Sequence, residues 1–496
     1  MKDDAPEPAD VPPPSTGSRF YTVFTSVMLP MFLAVVDSTI VSTALPAIAA
    51  SLGGVERVSW VVVAYLVAAT IAAPVYGQLR DVYGGKRIML IALCVFLVGS
   101  VLCAVAPSVE TLALARVLQG LGGGGLMTLS QALIGEAVPP RERARYQGYL
   151  AGVMVTSSAF GPVVGGYLTQ HFGWRSVFLV NLPLVGVAGL LTMRLAYRPA
   201  RRQAWVFDGL GLALFVAFIV PVLLALEQVQ RMSGNALASF LALMGIGLAS
   251  LVALVRREKV APYPLLPISL LRQPTIWRSD ALAAAHGATL VSLIAFLPIY
   301  LRVVHGLSAG DTGLILLPLT FGIGTGSMLT GRIVSRTGFT AIFPSIGLIF
   351  ATGMLLALTL LANVVGTVAL GTMLVLTGLF MGTVMGVVQV TVQNAVGPQS
   401  LGTAAASVQL SRSIGAVAGT ALVSTVLFAS LALGDPQTLP LFEALLGRGP
   451  LPEPAILTSA RLRAEIGGAF QAAFLTIAAF AASGMVLAWW IPARRL

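Results

Sequence analysis

Fourteen stretches of about twenty or more residues with few charges run the length of the chain. They fall at about 20–49, 58–79, 88–107, 111–134, 146–170, 174–195, 209–229, 236–256, 277–303, 309–331, 341–362, 366–391, 403–430 and 468–491. Each reads as a transmembrane helix, because a backbone in lipid must satisfy its own hydrogen bonds, and no series of alternating ten-residue segments points to a barrel. Composition agrees: of 496 residues only 10% are charged, against roughly 25% in a soluble domain. The first run is too long for a signal-peptide core and carries a carboxylate, so it reads as a retained helix. Residues 1–18, proline-rich and acidic, read as a disordered cytoplasmic tail.

Between Gly77 and Gly84 the chain reads GQLRDVYG, and between Gly331 and Gly338 it reads GRIVSRTG. Both copies have glycines at the same offset and precede a long apolar run. The expected architecture is therefore an all-α integral membrane protein of two related six-helix bundles fused head to tail, the build of many transporters. Residues 19–200 form the first bundle and 261–496 the second. The seventh and eighth spans, within 201–260, have no counterpart of the repeated loop and read as two inserted helices. An external loop of mixed charge is expected at about 434–467.

Basic residues set the orientation. Loops sharing a side with the N-terminus hold most of them, among them Arg80, Lys86, Arg87, Arg141, Arg143, Arg145, Arg198, Arg201, Arg202, Arg256, Arg257, Lys259, Arg332 and Arg336. The other side holds Arg57, Arg175, Arg231, Arg302, Arg448, Arg461 and Arg463. This asymmetry marks the first side, with both termini, as cytoplasmic, and a multi-pass protein of the plasma (inner) membrane is expected. The net charge of +11 thus encodes topology and does not call for nucleic acid.

Chemistry-bearing residues are few. Cys94 and Cys103, nine positions apart on one helix, point to opposite faces and cannot bridge. Three histidines and two thiols make no zinc or haem constellation, and there is no phosphate loop for ATP. No metal, no cofactor and no enzyme activity are expected; the energy source would be a proton gradient.

Charges inside the spans carry the functional reading. Arg116 lies in the fourth span with Gln119 nearly beneath it and Gly120, Gly122 and Gly123 permitting close packing. A buried guanidinium costs several kcal/mol unless it is paired or wet. The best partner is Asp37, the one carboxylate well inside the first span, about 25 Å along it at about 1.5 Å per residue. A proton and a cationic guest would compete for that carboxylate, which is the chemistry of proton coupling; a static ion pair is the alternative. Tyr65, Gln131, Asn181, Gln389, Gln393 and Asn394 either line a wet cavity with Asp37 and Gln119 or satisfy groups within the bundle. His286 either relays protons or packs. Glu227 and Asp280, close to span ends, are expected to meet headgroups or water, and Arg412 needs a partner that the sequence does not identify.

GQLRDVYGGKR, the fourth-span LARVLQGLGGGG, the fifth-span GPVVGG and the following GWRSVFLVNLP together resemble the major facilitator superfamily, specifically its fourteen-helix drug:proton antiporters. The resemblance covers nearly all of the chain after the tail. It implies the major facilitator fold and alternating access, with two halves rocking about a cavity that exchanges an amphipathic small molecule for protons in the lipid bilayer. Multidrug efflux, antibiotic resistance and function as a monomer are what it suggests. A metabolite importer or exporter, or a sensor with the same fold, are the alternatives.

Within that resemblance the loop of Gly77, Asp81, Gly84, Lys86 and Arg87 is a cytoplasmic latch, the glycines permitting a tight turn and the charges pairing with each other and with helix ends. Two departures stand out: Arg80 replaces a usually small residue, and Gly85 stands where a basic one is common. Ser335 takes the place of Asp81 in the second copy. Gly152, Gly161, Pro162, Gly165 and Gly166 form the packing motif that accompanies export in the family.

Overall fold

The computed structural model describes residues 16–53, 57–58, 60–195, 207–228, 236–265, 268–307, 309–361, 366–438, 441–442 and 460–495. Among them lie sixteen α-helices and no strand beyond one isolated bridge, Phe339 with Arg495. The first half contains α1 (Thr16–Leu52), α2 (Trp60–Tyr83), α3 (Gly85–Val105), α4 (Val109–Ala137), α5 (Pro140–Phe172), α6 (Ser176–Leu179) and α7 (Asn181–Met193). The inserted pair is α8 (Gly209–Gln228) and α9 (Ala236–Val260), followed by the short α10 (Ile268–Leu271). The second half contains α11 (Pro274–Val303), α12 (Ala309–Thr337), α13 (Ile342–Leu361), α14 (Thr367–Val396), α15 (Leu401–Leu433) and α16 (Ala460–Trp490). Thirteen helical stretches are long and apolar enough to cross a membrane, and α8 contributes a shorter apolar one, Gly209–Ala225.

The expected spans hold with three adjustments. The sixth is split into α6 and α7, because Pro183 has no N–H to offer the carbonyl one turn back. Helix α1 already begins at Thr16, within the segment expected as tail, of which residues 1–15 lie outside the described residues. Helix α16 begins at Ala460, inside the expected external loop. At the start of that loop, Glu465 accepts from the backbone of Asp435 and the hydroxyl of Thr438, and Phe442 packs edge-on against Phe428. Of the residues that set the orientation, Arg198, Arg201, Arg202, Arg231 and Arg448 lie outside the described residues, as do the side chains of Glu227 and Arg463.

Packing repeats between the halves as the duplicated loops suggest. Helix α2 lies along α4 and α1 along α5; in the second half α12 lies along α14 and α11 along α15. Glycines permit the closest approaches. A side chain at Gly120 or Gly124 would strike the backbone of Tyr65 or Ala69, and one at Gly378 or Gly382 would strike that of Leu319 or Ile323. The halves meet through α2 against α15 and α5 against α12, which are symmetric copies of one contact. The inserted pair covers one of these seams: Phe215 and Ile219 of α8 pack in a cluster with Ile71 and Val75 of α2 and Leu410 and Ile414 of α15.

Hydrogen bonds between the halves cluster at one end of the bundle, where α2, α4 and α14 finish and α5, α11 and α15 begin. Arg143 donates to Asn394 at 2.6 Å and Gln393 to the Gln131 carbonyl at 3.0 Å. Gly148 and Gly331 bring the α5 and α12 backbones together at the same end. This is called the gate end below.

Candidate functional site

Five helices converge on Asp37. Its Oδ2 accepts from Arg116 Nη1 at 2.5 Å, and its Oδ1 accepts from Gln119 Nε2 and Asn181 Nδ2, both at 2.8 Å. Arg116 Nη1 also donates to Gln119 Oε1 at 2.7 Å, and its Nε donates to the Val61 carbonyl at 3.1 Å. Below the guanidinium lies the Tyr65 ring, 4.1 Å from centroid to Cζ, with the Tyr65 hydroxyl donating to the Ala34 carbonyl. Ser100 and Cys103 of α3 complete the cluster through Gln119.

Local sequence explains the convergence. Without a side chain at Gly99, α3 comes close enough to α4 for Ser100 to reach Gln119; a Cβ there would stand 2.5 Å from the Gln119 backbone. Gly120 and Gly123 admit Tyr65 in the same way. Asn181, at the first position of α7, brings its side chain to Asp37 from that helix. The cluster is sealed: Asp37, Arg116, Gln119 and Ser100 have no solvent exposure. Burial of two opposite charges is tolerated because each is also hydrogen-bonded, and removing one partner of such a pair costs about 3–5 kcal/mol. Neutralising Asp37 would leave Arg116 with the Gln119 and Val61 oxygens as its acceptors.

At the gate end the loop after α2 forms a second constellation. Asp81 accepts from the backbone N–H groups of Gly402 and Thr403 at 2.9 and 3.0 Å and from the Thr403 hydroxyl at 2.9 Å, capping α15 of the other half. Arg80 is buried beside it and bridges Asp81 at 2.7 Å and Glu136, at the end of α4, at 2.5 Å. Lys86 donates to the Met193 and Leu195 carbonyls at the end of α7. Arg87 is exposed.

The roles expected of the two glycines separate here. Gly84, at φ +88°, makes the turn. Gly77 does not: it lies inside α2, where its carbonyl would meet any side chain placed on Gly402. Asp81 likewise pairs with Arg80 and α15, not with Lys86 or Arg87. In the second copy Gly338 again has positive φ and Gly331 again sits against a carbonyl, that of Ala144, while Ser335 bonds back to the Arg332 carbonyl.

Within the fifth-span motif Gly152 faces Met328 of α12, and the later part of the motif packs on α1. Gly161 and Gly165 face Thr39, Ile40 and Thr43, beside Pro162 within α5. Gly166 has open space around it and contributes nothing to that contact.

The residues expected to share one cavity do not do so in this conformation. Tyr65, Gln119 and Asn181 belong to the sealed cluster; Gln131, Gln393 and Asn394 belong to the gate. Gln389 is buried in α14 with neither side-chain polar atom bonded. His286 packs in the second half, its Nε2 3.2 Å from the Met381 carbonyl. Asp280, expected near water, is instead 4% exposed. Sequence reasoning also missed Ser100 and Cys103. Their signal was faint: two small polar residues three apart on one face of an apolar helix.

Comparisons with known proteins agree with this architecture. A family model described as Major Facilitator Superfamily matches residues 27–420. An uncharacterized MFS-type transporter of Mycobacterium tuberculosis is 33% identical over 89% of this chain, and the match spans 63% of that relative's length. The multidrug transporter protein MdtP of Bacillus subtilis is 29% identical over 83% of this chain and 76% of its own. Among solved structures, the human organic anion transporter MFSD10 superposes with a TM-score of 0.66 over 96% of this chain and 100% of that one, at 16% identity.

Proposed function

We propose that this chain, which belongs to the Major Facilitator Superfamily, exports amphipathic small molecules across the plasma membrane in exchange for protons, working as a monomer. Support for the substrate class comes from the likeness to the multidrug transporter protein of Bacillus subtilis. Support for proton coupling comes from one observation, the fully buried Asp37–Arg116 pair in the first half. On this reading the gate end faces the cytoplasm, since the basic loops lie there, and the latched conformation has its cytoplasmic side closed.

A proton entering from outside neutralises Asp37 and removes the anion that holds Arg116. The released guanidinium then draws on its remaining acceptors, Gln119 and the Val61 carbonyl, and the shift of α4 against α1 loosens the latch at Glu136 and Asp81. The halves then part at the gate end. Proton release to the cytoplasm restores the pair, and the guest leaves when the outer side next opens. Each pH unit of gradient contributes about 1.4 kcal/mol per proton, and each 100 mV about 2.3 kcal/mol per net charge moved.

A second reading has an observation in its favour: Asp37 already accepts from three donors, as a purely structural carboxylate would. Asp37→Asn in reconstituted vesicles separates the two. Loss of proton-coupled efflux with normal insertion and thermal stability supports coupling. Unchanged efflux and coupling refute it, and loss of the folded protein itself favours the structural role.

A further inference from the structure

The second half holds a carboxylate whose surroundings are the reverse of those of Asp37. Asp280 lies two turns into α11, 4% exposed, with Oδ2 lacking any hydrogen-bond partner. Its Oδ1 has one neighbour, the Ser407 hydroxyl of α15 at 3.4 Å, and that hydroxyl is also 3.1 Å from the Ala404 carbonyl. One hydroxyl proton cannot serve both acceptors. An ionised Asp280 would therefore sit in apolar surroundings with at most a long, shared hydrogen bond, a costly arrangement. A protonated Asp280 removes the buried charge and resolves the conflict: its Oδ1–H donates to Ser407 Oγ, Ser407 donates to Ala404, and Oδ2 is left as a neutral carbonyl oxygen.

Among the described residues no charge compensates it. On its own helix Arg278 projects to the opposite side, bonded to the Trp490 carbonyl of α16, and His286 is engaged with Met381. Facing it, α15 presents Ser407, with Arg412 five residues further along. The cavity beside Ser407 is walled by Leu271 of α10, Val396 of α14 and Thr403 of α15, none of them charged. The nearest carboxylate across the seam, Asp81, is committed to Gly402 and Thr403, one turn before Ser407.

We propose that Asp280 is a second proton-binding site, in which closing the gate end takes up one proton and opening returns it to the compartment on that side. The site rests on the alternating-access reading above only in requiring that the gate end opens. Its route is the cavity next to Ser407, about 20 Å³, room for about one water. Pro74 of α2, a residue of the other half, forms one wall, so parting of the halves exposes the cavity. Ser407 lines that cavity and joins it to Asp280, so water entering there takes the Ser407 hydroxyl proton as Asp280 passes its own proton to Ser407 Oγ, leaving a carboxylate and a hydronium ion.

Infrared spectroscopy of the purified transporter in lipid nanodiscs tests this without a transport assay. At neutral pH the wild type should show a protonated-carboxyl carbonyl band that is lost in Asp280→Asn and displaced in Asp280→Glu, the second variant standing in if the first does not fold. Asp81→Asn, which weakens the latch, should lower the pH at which that band disappears by up to about 0.7 unit, a roughly fivefold change in proton affinity. A band unaltered by both Asp280 substitutions, or a midpoint unmoved by Asp81→Asn, overturns the assignment. Absent efflux alongside an intact Asp280 band would count against the exporter reading and leave this site standing.

Discussion

The carboxylate of Asp81 accepts both the backbone N–H and the hydroxyl of Thr403, at 3.0 and 2.9 Å, across the boundary between the two halves of the molecule. Helix N-terminal N–H groups lack intrahelical partners, and α15 finds its acceptor on a different helical bundle. The cap on one helix is thus also a contact between two bodies, and on the proposed alternating-access reading its strength enters the balance between closed and open gate ends.

Replacing Asp81 with Asn keeps one acceptor oxygen but removes the negative charge from the helix terminus, a change of about 1 kcal/mol. Amide hydrogen exchange at Gly402 and Thr403 should accelerate roughly fivefold, with little change deep in α4. Equal exchange in wild type and variant would mean that the contact is not limiting for opening at this end.

Arg80 joins the same network from the side. It is buried, bonded to Asp81 and Glu136, and occupies a position where the resemblance expects a small residue. Arg80→Gln should destabilise the protein by about 2–4 kcal/mol, because two carboxylates lose their shared cation. Adding Glu136→Gln should recover part of that loss, giving a coupling energy of at least about 0.5 kcal/mol in a double-mutant cycle of thermal unfolding. Strict additivity of the two substitutions would show that the bridge carries no energy.

Sequence showed what energetics forces and hid what only packing decides. Opposite charges in apolar spans had to meet, so Asp37 and Arg116 could be matched before any coordinates. Asn181 could not be matched to Asp37, because its approach depends on how α7 packs against α1 and α3, which spacing along the chain does not reveal. Spacing of glycines is the same for a turn as for a close approach, which is why Gly77 was read as part of the turn. Asp280 is expected in water from its distance to a helix end; the cover from α15, whose Ser407 reaches it, is tertiary and leaves no local mark. The duplicated loop, by contrast, was legible because a repeat is itself a long-range pattern.

The glycines around the buried pair differ sharply in what they tolerate. Gly99→Ala places a Cβ 2.5 Å from the Gln119 backbone, and since neither helix can yield without displacing Ser100 and Arg116, a loss of about 1–3 kcal/mol is expected. Gly166→Ala meets nothing within 4 Å and should raise stability by up to about 1 kcal/mol through helix propensity alone. Thermal unfolding in detergent should move in opposite directions for the two; a shift of the same sign in both would contradict the packing described.

The inserted pair offers a pH-dependent test. Asp208, just ahead of α8, accepts from the Gly211 N–H at 2.9 Å and is held by Arg257 of α9 at 3.0 Å. Burial pushes its carboxyl upward, but the Arg257 guanidinium and the Gly211 N–H outweigh that and hold it below the usual carboxylate value. A group depressed in this way stabilises the fold above its unfolded pKa of about 3.9, and the contribution is lost as pH falls through the lower folded value. Arg257 is partly exposed, so the interaction is modest, about 1 kcal/mol or less. Asp208→Asn should therefore unfold at a lower temperature than wild type at neutral pH, and the gap should close as pH is lowered below about 4. A gap that stays constant across that range would mean that the charge on Asp208 is not its source, and no gap at any pH would mean that the cap on Gly211, which the amide oxygen of Asn can also accept, carries the whole contribution.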